Sequence, residues 1–404
     1  MSTNESVKFQ FNSTVKPNSI TDQQWNDWVW QLRNSLKTAD NFSEYFELSE
    51  SEKIAFASGG EIFNIRTTPY YASLADSKNA MDPIRRIFMP HEKELFDPSQ
   101  SQLDPLGERK IVNNPVPRII HRYSDRVLFL ITDICSVYCR YCTRKHFTAT
   151  DQAFIKNDEY ENALNYIRKH TGLREIILSG GDPLTISDGQ LDRVLFDLRK
   201  IEHVEIIRIG TRMPVVAPQR ITDNLVRIIR SHKPVFMMTH FNHPRELTSE
   251  SAAAIEKCVD GGIPVMNQMV LLNGVNNHAA IVQALSRRLL FLRAKPYYMF
   301  QCDPSIGTDY LRTSIDDSLE IQKELWGHLS GLAMPTLSVD IPNGGGKMYY
   351  TPDFETQSGP DQRNFVGWDG VSAQYVNPKA ETIVKPLDYE IYLPEWEQLK
   401  NSKN

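Results

Sequence analysis

Apolar and polar positions change their rhythm near residue 126. Before it the chain is polar and broken by Pro17, Pro69, Pro83, Pro90 and Pro98, with helical spacing at Trp25, Trp28, Leu32 and Leu36. Ser19-Ile-Thr21-Asp-Gln-Gln24 supplies a helix start there, and the tryptophans are expected to pack that helix onto a larger body. Pro105-Leu-Gly107 and Asn113-Asn-Pro-Val-Pro117 read as linker. From Arg126 onward, apolar runs of strand length recur: Arg126-Val-Leu-Phe-Leu-Ile-Thr132, Glu175-Ile-Ile-Leu-Ser179, Val204-Glu-Ile-Ile-Arg-Ile-Gly210, Pro234-Val-Phe-Met-Met-Thr-His240, Pro264-Val-Met-Asn-Gln-Met-Val270 and Pro296-Tyr-Tyr-Met-Phe-Gln301. Amphipathic stretches between them predict helices over 157–170, 188–200, 221–231, 248–259 and 278–292. A further helix over 314–330 precedes a late strand, Thr336-Leu-Ser-Val-Asp340.

Strand and helix alternating at roughly 30-residue spacing is the signature of βαβ units. Near-continuous apolar strands suit a parallel sheet covered on both faces. Nearly every chemically suggestive residue falls at or just past a strand's C-terminal end. Convergence from many strands onto one face is how barrels build sites, whereas an open sheet uses one switch point. The expected fold is therefore an α/β partial (β/α)6 barrel over 116–345. A mainly helical N-terminal extension (1–115) and an irregular C-terminal segment (346–404), with a possible role in oligomer contacts, flank it.

Among the 404 residues, 41% are hydrophobic and 24% charged, with a net charge of −5. This is ordinary for a globular enzyme and carries no basic excess for nucleic acid. The polar start Met-Ser-Thr-Asn lacks the apolar core of a signal peptide, and no apolar run is long enough to span a bilayer. A cytoplasmic location is expected.

Five cysteines occur, three of them as Cys135-Ser-Val-Tyr-Cys139-Arg-Tyr-Cys142 just after the first strand. Three thiolates on one short loop can hold three irons of a [4Fe–4S] cluster and leave the fourth open for a ligand. A closed zinc site wants four protein ligands, and an odd trio does not suit a disulfide framework. Ser179-Gly180-Gly181-Asp182 follows the second strand. Taken alone it is a tight turn with a helix cap; beside an open iron its glycines permit close approach to a ligand and its carboxylate can receive an ammonium group. Lys347 ends a glycine-rich run, Gly344-Gly345-Gly346, without the spacing of a nucleotide loop. A lysine on such a loop suits a covalent attachment that must form and release; a solvent-exposed lysine is the plainer alternative.

Together these residues resemble the lysine 2,3-aminomutase family of radical S-adenosylmethionine enzymes, from about Trp25 to residue 365. The resemblance implies that Cys135, Cys139 and Cys142 bind the cluster, and that Ser179, Gly180, Gly181, Asp182, His240 and Gln268 line the S-adenosylmethionine site. It implies that Lys347 holds pyridoxal 5′-phosphate, with Arg122, Tyr123 and Arg126 at its phosphate. It gives Arg144 to the substrate carboxylate and Asp303 and Asp340 to the far ammonium of lysine. Physics favours the last assignment: two carboxylates in one buried pocket repel, one tends to protonate, and a cation between them removes the conflict.

The expected activity moves the α-amino group of a basic amino acid, foremost L-lysine, to Cβ. Action on another amino acid or a protein-bound lysine, or a non-catalytic homologue, remain open. An electron donor of flavodoxin or ferredoxin type and a homo-oligomer are further expectations. The chain departs from the resemblance at three positions. His278 stands where clostridial-type relatives carry a zinc-binding cysteine, and no cysteine follows Cys302, so no structural zinc is expected. Tyr141 stands where histidine is common. Asn343 replaces a glycine, and asparagine tolerates the left-handed backbone region.

Overall fold

A computed structural model describes residues 9–59, 64–96, 101–145, 152–379, 383–386 and 389–401. Its centre is a nine-stranded sheet, in sequence order from edge to edge. The strands are β1 (Ile119–Tyr123), β2 (Arg126–Thr132), β3 (Glu175–Gly180), β4 (Ile206–Gly210), β5 (Val235–Thr239), β6 (Val265–Leu271), β7 (Lys295–Gln301), β8 (Thr336–Ile341) and β9 (Gly346–Tyr349). Pairing is parallel from β2 to β8, while β1 and β9 add antiparallel strands at the two edges.

Helices Asn157–Lys169, Asp188–Arg199, Asp223–Ser231, Ser249–Asp260, Ala279–Phe291 and Ile315–Leu325 return the chain between the parallel strands. Four of them begin at a hydroxyl that accepts from the first turn's backbone: Ser187, Thr222, Thr248 and Ser314. Leu191, Val194, Leu195 and Leu198, at helical spacing, bury one face of Asp188–Arg199 in the common core. The expected strands and helices of the barrel are present, shifted at most a few residues at their ends.

The sheet curls until its edges almost meet. Lys347 N on β9 donates to the Tyr123 hydroxyl on β1 at 3.0 Å, although the two strands form no ladder. A partial barrel is thus closed by side chains across a seam rather than by a ladder.

Three features depart from the sequence reading. The tryptophan helix is two short ones, Asp22–Trp25 and Trp28–Arg33, because the Asp27 carboxylate accepts from Val29 N and starts the second. Part of the stretch between the linker and Arg126 forms β1, which carries Arg122 and Tyr123. The segment read as irregular contains an antiparallel meander, β10 (Glu355–Ser358), β11 (Gln362–Val366) and β12 (Ser372–Val376), and a helix, Tyr389–Asn401. Its strands alternate weakly and are mostly exposed, so they gave no buried-strand pattern. Among the described residues no helix is long and apolar enough to cross a membrane.

Candidate active site

Alternate residues of a strand share a face. Ile120 and Arg122 of β1, Arg126 and Leu128 of β2, Ile177 and Ser179 of β3, Arg208 and Gly210 of β4, Gln268 and Val270 of β6, and Tyr298 and Phe300 of β7 all line one cavity of about 600 Å³ inside the barrel. Every residue singled out above as a candidate site residue borders it, Cys135, Cys139, Cys142, Asp303, Asp340 and Lys347 included.

The cysteine loop is held from outside the barrel. Tyr138 N donates to Arg66 O at 3.0 Å, Arg140 N to Ile87 O at 2.9 Å, and Arg66 Nη1 to Cys135 O at 3.2 Å. The N-terminal extension thereby fixes the loop's backbone. Burial, with the neighbouring Cys142 and Asp182, pushes the Cys135 thiol well above its ordinary pKa, and burial raises Cys142 too. Such thiols become good ligands only when a metal replaces their protons. Among the described residues no three His, Cys, Asp or Glu side chains close around a single metal ion. A cluster asks for something else, three thiols spread over three irons, and three thiols at one cavity wall fit that demand.

Arg212, which the sequence reading passed over, meets this loop. Its Nη1 donates to Cys139 Sγ at 2.8 Å, Nη2 to Glu246 Oε1 at 2.8 Å and to the Tyr71 hydroxyl at 3.0 Å, and Nε to His240 O at 3.2 Å. Only its position just past the β4 end signalled it, by the rule that drew attention to the other strand ends.

The glycine loop serves the protein first. Gly180 has φ +125°, and a Cβ there would lie 2.1 Å from Thr132 O. At Gly181 a Cβ would lie 2.2 Å from Ile134 O, with Ile134 C and N at 2.5 and 2.7 Å. The close approach is therefore to the backbone leading into the cysteine loop, which Gly181 N and Asp182 N also bond. Asp182 accepts from Leu184 N, Thr211 Oγ1 and Arg212 N at 3.0, 2.7 and 2.7 Å, so its carboxylate is largely committed to capping and bracing. Gly181→Ala is expected to lower stability by about 2 kcal/mol, since every clashing atom is backbone, and to reduce iron bound after reconstitution. Thermal melting and iron analysis check both.

His240 is kept neutral, its pKa pushed down to about 3 by burial and the Arg212 charge, and its Nε2 has no hydrogen-bond partner among the described residues. Its ring lies 5.5 Å from Tyr141, whose hydroxyl accepts from Asn242 Nδ2 at 2.7 Å. Tyr141 thus fills its place with a ring contact and a buried hydrogen bond. Exposed His278 caps the helix Ala279–Phe291, accepting from Ala280 N at 3.1 Å.

On the opposite wall, Asp340 of β8 pairs across the hairpin with Lys347 of β9. Directly opposed residues point to one face, and Lys347 Nζ lies 2.8 Å from Asp340 Oδ2. The turn between them holds Asn343 at φ +67°, the left-handed conformation expected of it. Arg122 Nη2 is 3.9 Å from Asp340 Oδ1, and the Arg126 guanidinium stacks 4.7 Å from the Tyr123 ring centre. Two guanidinium groups and a phenol hydroxyl at one rim suit a phosphate dianion. Asp303 is the raised carboxyl of the acidic pair, pushed to about 7 by burial and by Asp340, with Lys347 opposing. Glu108, between the two stretches read as linker, forks onto Arg144 and was also missed; one acidic residue after a Pro-Leu-Gly turn carries no periodic signal.

A barrel whose strand ends carry three cysteines at C-x3-C-x2-C defines a radical S-adenosylmethionine enzyme, and the Radical SAM superfamily model matches residues 129–283. The Lysine-2,3-aminomutase model matches residues 322–402. The chain is 42% identical over 364 residues to the L-lysine 2,3-aminomutase of Fusobacterium nucleatum, covering 90% of this chain and 85% of that protein. It is 41% identical to the L-lysine 2,3-aminomutase of Clostridium subterminale (89% and 86% covered) and 39% identical to a glutamate 2,3-aminomutase of Clostridioides difficile (87% and 82% covered). The chain belongs to the lysine 2,3-aminomutase family and is an aminomutase, an isomerase that moves an amino group within its substrate. Membership implies a [4Fe–4S] cluster, S-adenosylmethionine, a small-molecule substrate and an electron donor.

Proposed function

We propose that the substrate is L-lysine and the product β-lysine. The observation that carries this reading is the ammonium of Lys347 itself, 2.8 Å from Asp340 and near enough to Asp303 to oppose its raised pKa. A wall of two carboxylates that takes up the chain's own ammonium is suited to a substrate ammonium and repels a glutamate side chain.

Cys135, Cys139 and Cys142 hold the cluster; Ser179 to Asp182, His240 and Gln268 border S-adenosylmethionine. Lys347 carries pyridoxal 5′-phosphate, with Arg122, Tyr123 and Arg126 at its phosphate. When bound, these groups supply hydrogen abstraction by a radical and a covalent handle for the nitrogen as it moves from Cα to Cβ. The chain's own task is positioning. Arg144 takes the substrate carboxylate and the Asp303–Asp340 pair its far ammonium, so that both ends are fixed and the carbons between them are held still. A flavodoxin- or ferredoxin-type donor, a cytoplasmic setting and a homo-oligomer complete the proposal; exposed Tyr375 and Val376 on β12 favour the last.

Anaerobic enzyme, reconstituted with iron, sulfide, pyridoxal phosphate and S-adenosylmethionine, tests the substrate. β-Lysine is expected from lysine, and no β-glutamate from glutamate. Turnover of another amino acid without turnover of lysine would overturn the reading.

A further inference from the structure

Arg144 is held on two sides. Its Nε and Nη2 donate to Glu108 Oε2 and Oε1 at 2.7 and 2.6 Å, and its Nη1 donates to Ser179 Oγ at 2.9 Å. Glu108 is only 7% exposed and lies on the segment that leads from the N-terminal extension into β1. Burial disfavours its charge, yet the Arg144 guanidinium holds its carboxyl below the usual glutamate range.

The segment carrying Glu108 is itself braced. Asp104 accepts from the backbone N of Glu108 and of Arg109, each at 2.9 Å. Asn113 Nδ2 donates to Gly107 O at 2.8 Å. Asn343 N donates to Pro105 O at 2.9 Å, and Lys110 Nζ donates to Asn343 O at 2.8 Å, which ties the segment to the turn before Lys347. Glu108 is therefore a fixed carboxylate in the cavity wall, not a mobile surface acid.

Arginine loses much rotamer freedom when it must present one edge to a ligand. A second carboxylate that already engages its Nε–Nη2 side removes that freedom before the ligand arrives. We propose that Glu108 is a positioning residue: it clamps Arg144 side-on, with Ser179 as the second brace, so that a substrate carboxylate meets the Nη1–Nη2 end in one orientation. The inference rests on the reading of Arg144 as the carboxylate anchor. Because Glu108 offsets the Arg144 charge, recognition at this end comes from directed hydrogen bonds more than from net attraction, and a bare diamine gains nothing there.

The test compares L-lysine with 1,5-diaminopentane, which has two amino groups at the same separation and no carboxylate. Binding to the anaerobic, unreduced holoenzyme is followed at equilibrium by calorimetry. The native enzyme is expected to prefer lysine by about tenfold or more. Glu108→Gln and Glu108→Ala should lose most of that preference through weaker lysine binding, with diamine affinity held within about threefold, a change of less than 1 kcal/mol. Glu108→Asp should recover part of it. Glu108→Gln nearly conserves volume, so a Glu108→Ala chain that fails to fold does not remove the test. If both Glu108 variants keep the native preference while Arg144→Met loses it, the inference is overturned and the role of Arg144 survives. Tighter lysine binding in Glu108→Gln would overturn it too, by showing Glu108 to be a competitor for the arginine. If Arg144→Met keeps the preference, the reading beneath the inference falls, and the inference with it.

Discussion

Asp340→Asn and Asp303→Asn are each expected to lower kcat/KM for lysine by about 10²–10³-fold. Asparagine preserves shape but gives up the charge that, on the proposed reading, faces the substrate ammonium. What remains is a buried cation with one anion instead of two, and breaking such a pair costs several kcal/mol because the partner is left poorly solvated. The pH profile separates the two positions. In the free enzyme Asp303 is raised to about 7 by burial and by Asp340. A carboxyl with a raised pKa is protonated below that value, and a protonated Asp303 has no charge to offer. Native kcat/KM for lysine should therefore fall as pH drops below about 7, since this quantity reports free-enzyme groups. Asp303→Asn should be slow at all pH values and lack that limb. A limb that persists unchanged in Asp303→Asn assigns it to another group.

The barrel was legible because its strands bury every second residue and its helices bury one face, so hydrophobic period alone separates Ile176 and Leu178 in β3 from Leu191 and Leu195 in the helix that follows. The hairpin of β8 and β9 was legible only in part: Asp340, the glycine run and an asparagine tolerant of the left-handed region were visible, but the register that sets Lys347 beside Asp340 was not. Residues contributed by distant segments were invisible for a stronger reason. Glu94, Glu108 and Arg212 act through partners 28 or more residues away in sequence, and a buried charge leaves no trace in spacing. The glycine loop was noticed for its chemistry, whereas the close contact of Gly180 and Gly181 with Thr132 and Ile134 gives a packing reason for the same residues. Motif reading finds where a ligand can go; it does not say what holds the motif's backbone there.

That support concentrates in one buried group, Glu94. Its carboxylate accepts from Arg140 Nε and Nη2, the latter at 2.7 Å, and lies 3.3 Å from Lys145 Nζ, with Glu94 and Arg140 side chains wholly buried and Lys145 1% exposed. Arg140 sits between Cys139 and Cys142, and Lys145 also donates to Arg140 O and Gly307 O at 3.2 and 3.1 Å. One anion thus balances two buried cations that anchor the cysteine loop. Glu94→Ala leaves both cations buried without their shared carboxylate, and a loss of about 3–5 kcal/mol of folding stability is expected. Glu94→Gln retains volume but not charge and should lose less. Burial favours the neutral acid, but Arg140 and Lys145 outweigh it and hold the folded carboxyl below its ordinary value of 4.5. The stability it contributes is therefore complete above 4.5 and is lost as pH falls through the lower folded value. Denaturant unfolding of the unreconstituted chain from pH 8 to pH 3 measures this directly. The gap between native and Glu94→Gln stability should be constant at neutral pH and close only in acid. Equal stabilities of the native and Glu94→Gln chains at neutral pH would show that Glu94 holds the loop by shape alone, and the charge account of the cysteine loop would fail.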